Sequence, residues 1–394
     1  MVRLGNCFTI IRNGASIKQI DGASGLPITR IETISKCEIN RDKFGYANIC
    51  DEEKYKDYFL HDDDILMSHI NSEKHLGKCA LYHKEKDEKI IHGMNLLMLR
   101  ANKTVISPQY AVYYFETPFF KQQIVNITKK SVNQASFTVT ALKEIEIPLL
   151  SYEKQNKIVK ILDKLNEIIN KRQQQLKKLD ELVKSRFIEM FGDPITNSYN
   201  LPIVPLGELS ELITKGASPS WQGFSYTDDR TQTLFITSEN VREGYIDLSF
   251  PKYIEDGFND KQKRSVIHKG DFLINIVGAS IGRAAQFNFD CKANMNQAAA
   301  LVRINDKRIK DNYLLIYLNS EKAQRMYDLM KSDTGRANLS LKDISDLSIL
   351  LPPIAQQEKF EKFFMQTDKS KLEIQKSLDK LEILKKSLMQ QYFD

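Results

Sequence analysis

Between Glu153 and Met190 the apolar residues fall at Ile158, Leu162, Leu165, Ile169, Leu176, Leu179, Val183 and Met190. The steps are four, three, four, seven, three, four and seven, the rhythm of a heptad seam, with Arg172 and Arg186 standing in the two gaps. This spacing predicts one helix about 57 Å long. A second run on the same frame carries Phe360, Phe364, Ile374, Leu378, Leu381, Leu388 and Tyr392, with Thr367, Lys371 and Lys385 as polar interruptions. Pro148 and Pro352-Pro353 end the extended segments ahead of the two runs, and Gly192-Asp193-Pro194 stops the first. A long helix with a single apolar seam needs something to cover it. The nearest cover for each run is the other. Two helices related by a pseudo-two-fold axis pack antiparallel, so an antiparallel coiled coil is expected; the alternative is that each helix packs on its own domain.

The remaining sequence has a different texture. Short β-like runs occur at Ile65-Leu66-Met67, Leu96-Leu97-Met98-Leu99, Leu234-Phe235-Ile236, Phe272 to Ile276 and Ala300-Leu301-Val302, separated by turns such as Lys269-Gly270-Asp271. Helices are predicted around Tyr110 to Asn126 and Asn312 to Met330. The fold class is therefore α+β, and it occurs twice. Val2-Arg3-Leu4-Gly5 returns as Val204-Pro205-Leu206-Gly207, and Asn13-Gly14-Ala15-Ser16 as Lys215-Gly216-Ala217-Ser218. At the same offset of 202 residues Gln155, Leu176, Leu179 and Phe191 return as Gln357, Leu378, Leu381 and Phe393. The expected division is a globular domain over 1–149, a helical spacer over 150–197, a second globular domain over 198–351 and a second spacer over 352–394.

At 394 residues the chain is long enough for two cores, and no stretch of roughly 18 apolar residues marks a membrane span. The start MVRLGNCFTI lacks the apolar core of a signal peptide, so a cytoplasmic protein is expected. The five cysteines form no C-x-x-C pair, and the histidines, five of them in the first half, show no H-x-x-x-H spacing; surface histidines and no metal site are expected. The net charge of +6 favours a polyanionic partner. There is no phosphate-binding G-x-x-x-x-G-K-[ST] loop, no G-x-S-x-G elbow and no dinucleotide fingerprint. Gly278-Ala279-Ser280-Ile281-Gly282-Arg283 reads as a tight turn with a basic tip, and Asp62-Asp63-Asp64 as an aspartate opening a strand.

The block Thr334-Gly335-Arg336-Ala337-Asn338-Leu339-Ser340-Leu341-Lys342-Asp343-Ile344 is followed by Leu350-Leu351-Pro352-Pro353-Ile354-Ala355-Gln356-Gln357 and the lysine-rich helix. Ile147-Pro148-Leu149-Leu150 to Gln155 is its counterpart in the first copy. This arrangement resembles the specificity subunits of type I restriction-modification systems, over the whole chain. The resemblance implies two target-recognition domains alternating with two helical spacers, and no catalysis by the chain itself. It further implies binding to double-stranded DNA at a bipartite site, and partnership with two adenine-methyltransferase subunits and two motor-nuclease (restriction) subunits. S-adenosylmethionine, ATP and magnesium would then bind in those partners, with no cofactor here. Candidate DNA contacts are Lys215, Ser218, Arg283, Lys331, Arg336 and Asn338 in the second copy, and Lys129, Lys130, Asn133 and Gln134 in the first. Trp221 is expected to pack within its domain. The competing function is a free-standing, repressor-like bipartite DNA-binding protein, which would leave no apolar surface on the spacers for partners.

Overall fold

The computed structural model describes residues 1–35, 37–131, 134–331 and 337–393. The chain forms two compact units, one of Met1–Gln173 with Lys376–Asp394 and one of Gln174–Gln375. Each unit thus holds one globular head, part of the long helix that follows that head, and part of the other long helix.

In the first unit a four-stranded antiparallel sheet orders its strands Phe8–Asn13, Leu96–Ala101, Asp64–Ser68 and Cys79–Leu81. Strand residues alternate between faces, and here both faces are covered. Ile65, Met67, Leu97 and Leu99 enter a core shared with the helix Pro108–Glu116, while Leu66, Leu96 and Met98 enter a second with Leu60, Tyr82 and Ile90. Burial on both sides is why these strands read as continuous apolar runs. The second unit repeats the plan with Ser210–Lys215, Ala299–Ile304, Phe272–Asn275 and Ala284–Gln286 in the corresponding order. Phe272, Ile274, Ala300 and Val302 face one core, and Leu273, Ala285, Ala299 and Leu301 the other. A further four-stranded sheet in this unit joins Tyr226–Thr227, Tyr253–Ile254, Thr233–Ile236 and Ala293–Met295.

An aspartate opens the same strand in both units and takes the same partners. Asp64 receives Nε and Nη2 of Arg100, both at 2.7 Å, and the backbone N–H of His61 at 2.7 Å. Asp271 receives Nε of Arg303 at 2.8 Å, its Nη2 at 2.7 Å and the N–H of His268 at 2.7 Å. The paired carboxylate raises both arginine pKa values, so each guanidinium stays charged in a half-buried setting.

The two medium helices each prove to be a pair. Pro108–Glu116 and Pro118–Ile127 meet at Thr117, whose hydroxyl donates to the Tyr114 carbonyl (2.7 Å) and accepts the Phe120 N–H (3.2 Å). Pro118 has no N–H to continue the first ladder but suits the first turn of a new helix. Asp311–Leu318 and Glu321–Met330 are separated at Ser320, which caps the second through the Ala323 N–H (3.3 Å).

The long helices run Tyr152–Phe191 and Ile354–Phe393, 40 residues each. Within each unit their segments pack antiparallel. In the first, Ile158 and Leu162 share a core with Phe393 and with the partly buried Leu388, Met389 and Tyr392, and the Phe393 ring lies 5.1 Å from that of Tyr110. In the second, Phe187 and Phe191 near the end of one helix each lie 5.5 Å from Phe360 near the start of the other, and Lys371 pairs with Asp180 at 2.6 Å. Of the seam residues, Leu162, Leu165, Ile169 and Leu378 are buried. Leu176, Leu179, Phe364, Ile374, Leu381 and Leu388 are half-buried, Leu388 and Phe364 also packing on the core of the head in their unit. Gly192, at φ 77°, accepts the left-handed conformation that ends the first helix.

Two buried glutamines lock heads to helices. Gln155 accepts the Ser107 N–H (2.8 Å) and donates to the carbonyls of Val105 (3.0 Å) and Leu150 (2.9 Å). Gln357 accepts the Lys310 N–H (2.8 Å) and donates to the carbonyls of Arg308 (2.9 Å) and Pro352 (2.8 Å). The pair explains why glutamine recurs at this point of the repeat.

Candidate nucleic-acid interface

The strand registers bring the candidate residues of the second unit to one end of its first sheet. Lys215 pairs with Ala300 and Asn275 with Ala299, so the strands Ser210–Lys215 and Phe272–Asn275 both finish where Ala299–Ile304 begins. Beyond Lys215, which is exposed, lies Ser218, with its Oγ 3.2 Å from that of Ser220. Beyond Asn275 comes the glycine turn: Gly278 and Gly282 sit at φ 82° and 87°, and Arg283 projects from it into solvent. The segment holding Asn338 returns to the same place, since Val277 bridges Asn338 and the Gly278 N–H reaches the Ala337 carbonyl at 3.2 Å. The helix Glu321–Met330 packs behind the turn through Gln324, which donates to the Gly282 carbonyl at 3.0 Å. Lys331 caps that helix, half-buried and ion-paired with Asp328. Arg336 lies outside the described residues.

The first unit uses the equivalent end. Asn13 pairs with Leu97 and Ser68 with Leu96, and just past Ser68 a small sheet grows outward in the order Ile70–Asn71, Ala135–Ser136, Lys129–Lys130. Lys129 and Lys130 are exposed, and Lys130 holds Glu73 at 2.9 Å. Gln134 is exposed, its carbonyl taking both the N–H (2.8 Å) and the hydroxyl (2.7 Å) of Ser131. Asn133 lies outside the described residues. In both units, then, residues far apart in sequence converge where strands turn over, in the exposed polar loops that reading base edges and phosphates requires.

Two expectations are corrected, and one pair of residues was not anticipated. Trp221 does not pack in its domain: it is 87% exposed. Its flanks do the packing, with Ala217 and Phe224 set against the cluster of Phe235, Ile254 and Phe258, so the indole is held outward at the apex. His69 and His92, expected at the surface, are buried at 4% and 0% exposure, and burial pushes each imidazole down to a pKa of about 4. Phe187 and Phe191, which lie off the heptad seam, are buried because they fill the joint between both helices and Tyr313. A signal for them existed in two phenylalanines four apart at the end of the helix. One group among the described residues, Asp62, Asp63 and His83, has ligand-type atoms within 4.8 Å of one another, but the Lys103 ammonium already sits 2.7 Å from Asp63.

The comparisons agree with this architecture. The family described as type I restriction modification DNA specificity domain matches residues 1–178 and again 201–384. A Methanocaldococcus jannaschii protein assigned as the specificity subunit of the type I restriction enzyme MjaX is 31% identical, across 98% of this chain and 90% of its own length. The EcoBI specificity subunit of Escherichia coli is 24% identical over 71% of this chain and 64% of its own. The crystal structure of the type I restriction-modification S subunit from M. genitalium superposes with a TM-score of 0.57 at 15% identity, covering 100% of this chain and 95% of that one. A chain from a type I R-M system assembly superposes with the same score of 0.57 at 18% identity, covering 99% of this chain and 96% of that one. The doubled head-and-helix plan and the family match over both copies make this chain a member of the type I restriction-modification specificity-subunit family, whose members are non-catalytic.

Proposed function

We propose that this chain recognises a bipartite double-stranded DNA sequence, one half per head, and serves as the platform for two adenine-methyltransferase and two motor-nuclease subunits in the cytoplasm. The observation that carries the reading is the convergence, in both units, of polar and basic loops at the same end of equivalent sheets. Lys215, Ser218, Arg283, Lys331, Arg336 and Asn338 would contact one half-site, and Lys129, Lys130, Asn133 and Gln134 the other. The recognition domains are assigned to 1–149 and 198–351 and the spacers to 150–197 and 352–394. S-adenosylmethionine, ATP and magnesium would be bound by the partner subunits.

Apolar residues left uncovered on the long helices support docking over a free-standing repressor. Ile161, Ile168 and Leu182 recur at multiples of seven on the first helix, and Leu384 stands on the second; all are exposed. A two-helix rod with no partner would have no use for a second apolar stripe.

Mapping of methylated adenines in cells that express the chain with its neighbouring methyltransferase subunit tests the proposal. The expected pattern is one modified adenine in each half of a two-part motif, the halves separated by a fixed unread gap and spaced on the scale of one DNA turn, roughly 34–36 Å. Inserting one heptad in each spacer should change the gap and leave both half-sequences intact. A single contiguous motif, or a gap indifferent to the insertion, would overturn the bipartite reading.

A further inference from the structure

Trp221 is the only tryptophan in the chain, and it stands 87% exposed at the tip of the short 3-10 turn Ser220–Gln222. The turn is built to present it. Pro219 enters in the right-handed helical region, Gly223 leaves at φ 83°, a conformation glycine adopts without a Cβ penalty, and the Phe224 N–H closes on the Pro219 carbonyl at 3.0 Å. Phe224 stacks edge-on against Phe258 at 5.6 Å, and Phe258 against Phe235 at 5.4 Å, so the base of the turn is fixed while its apex is kept out. Lys261 braces the turn, its ammonium donating to the Gln222 carbonyl at 2.9 Å.

The surroundings give the tip a chemical direction. The loop leaves the strand Ser210–Lys215 directly after Lys215, so it starts from the sheet end that gathers Arg283 and Asn338. Lys263 and Arg264, both exposed, follow the bracing Lys261 in the chain by two and three residues. Tyr226, 53% exposed, follows on the same loop. A large flat ring held rigidly in water among cations matches what a nucleic-acid surface offers: phosphates for the charges, and base or sugar faces for the ring.

We propose that Trp221 is a DNA-contacting wedge, pressed against base or sugar faces at the edge of a groove while Lys215, Lys261, Lys263 and Arg264 hold the flanking phosphates. This rests on the DNA-recognition reading above and adds a residue to it that the chain presents in the second head alone.

Because no other tryptophan is present, intrinsic emission of the wild-type chain reports on this residue without any substitution. A mixed-sequence duplex carrying a fluorescent end label is titrated with the full chain at low salt, roughly 50 mM, where phosphate-driven binding is strong. Label anisotropy reports binding, and iodide quenching of tryptophan emission reports contact. The expected result is an anisotropy rise accompanied by loss of iodide access, with Trp221→Ala binding about tenfold more weakly and Trp221→Phe retaining most of the affinity. A bound complex in which iodide still quenches as in the free chain overturns the wedge and leaves DNA recognition standing. Absence of any anisotropy rise overturns both.

Discussion

At the scale of single residues, the two glutamines and the two buried histidines make opposite kinds of commitment. Gln155 satisfies three backbone groups at the root of its helix, so Gln155→Ala leaves buried donors and acceptors without partners. A loss of about 1–3 kcal/mol is expected, read as a lower urea midpoint, with the equivalent loss for Gln357→Ala. His69 and His92 are commitments that acid revokes. Both have folded pKa values near 4 against an ordinary value near 6.5, so the fold binds fewer protons than the unfolded chain between these limits. Their contribution is complete above about pH 6.5 and drains away as pH falls towards 4. The melting temperature should therefore drop over that window, and His69→Leu should flatten part of the drop; an unchanged slope would remove His69 as its cause. The glutamines were visible in the sequence as a repeated position, though not what they hold. The histidines were misjudged because nothing in their spacing tells a core imidazole from a solvated one.

At the scale of elements, periodicity carried most of the information. Heptad steps marked both long helices, and apolar runs marked the central strands, since burial on both faces leaves a continuous signature. The seam was less informative where a helix has more than one neighbour. Phe187 and Phe191 face a helix and a head together, so their stripe is wider than a coiled-coil seam. The interface was harder to read, because its assembly depends on register. Lys215 and Arg283 share a sheet end only because two strands both pair antiparallel with a third. Trp221 was misassigned for a related reason, since the apolar character of its loop is used by Ala217 and Phe224. Two neighbouring residues of the first long helix separate holding from docking. Leu162→Ala, at a buried position, should cost about 2–5 kcal/mol in unfolding free energy. Ile161→Ala, at 45% exposure, should leave stability within about 0.5 kcal/mol while reducing the methyltransferase retained in a pull-down. Equal effects of the two on stability would argue against a free outer stripe.

At the scale of the molecule, the repeat in sequence and the division in space do not coincide. The second unit is a contiguous stretch, Gln174–Gln375, whereas the first is closed by Lys376–Asp394. Phe393, 3% exposed, lies against Tyr110 and Tyr114 of the first head. Phe393→Ala should therefore destabilise the head made of the earliest residues, by about 3–5 kcal/mol, with hydrogen exchange quickening around Tyr110 and Tyr114 before it does around Tyr313. The same arrangement sets a timetable on the ribosome. At about 5–20 residues per second, the first head emerges roughly 10–40 s before the segment that completes its core, and the second unit, whose last residue is Gln375, is fully synthesised just ahead of that segment. Of the two units, the one translated first is thus the one finished last, and it passes that interval without Phe393 on the core that holds Ile158 and Leu162. A nascent chain arrested before Lys376 should accordingly be cleaved by protease in the first head and spared in the second.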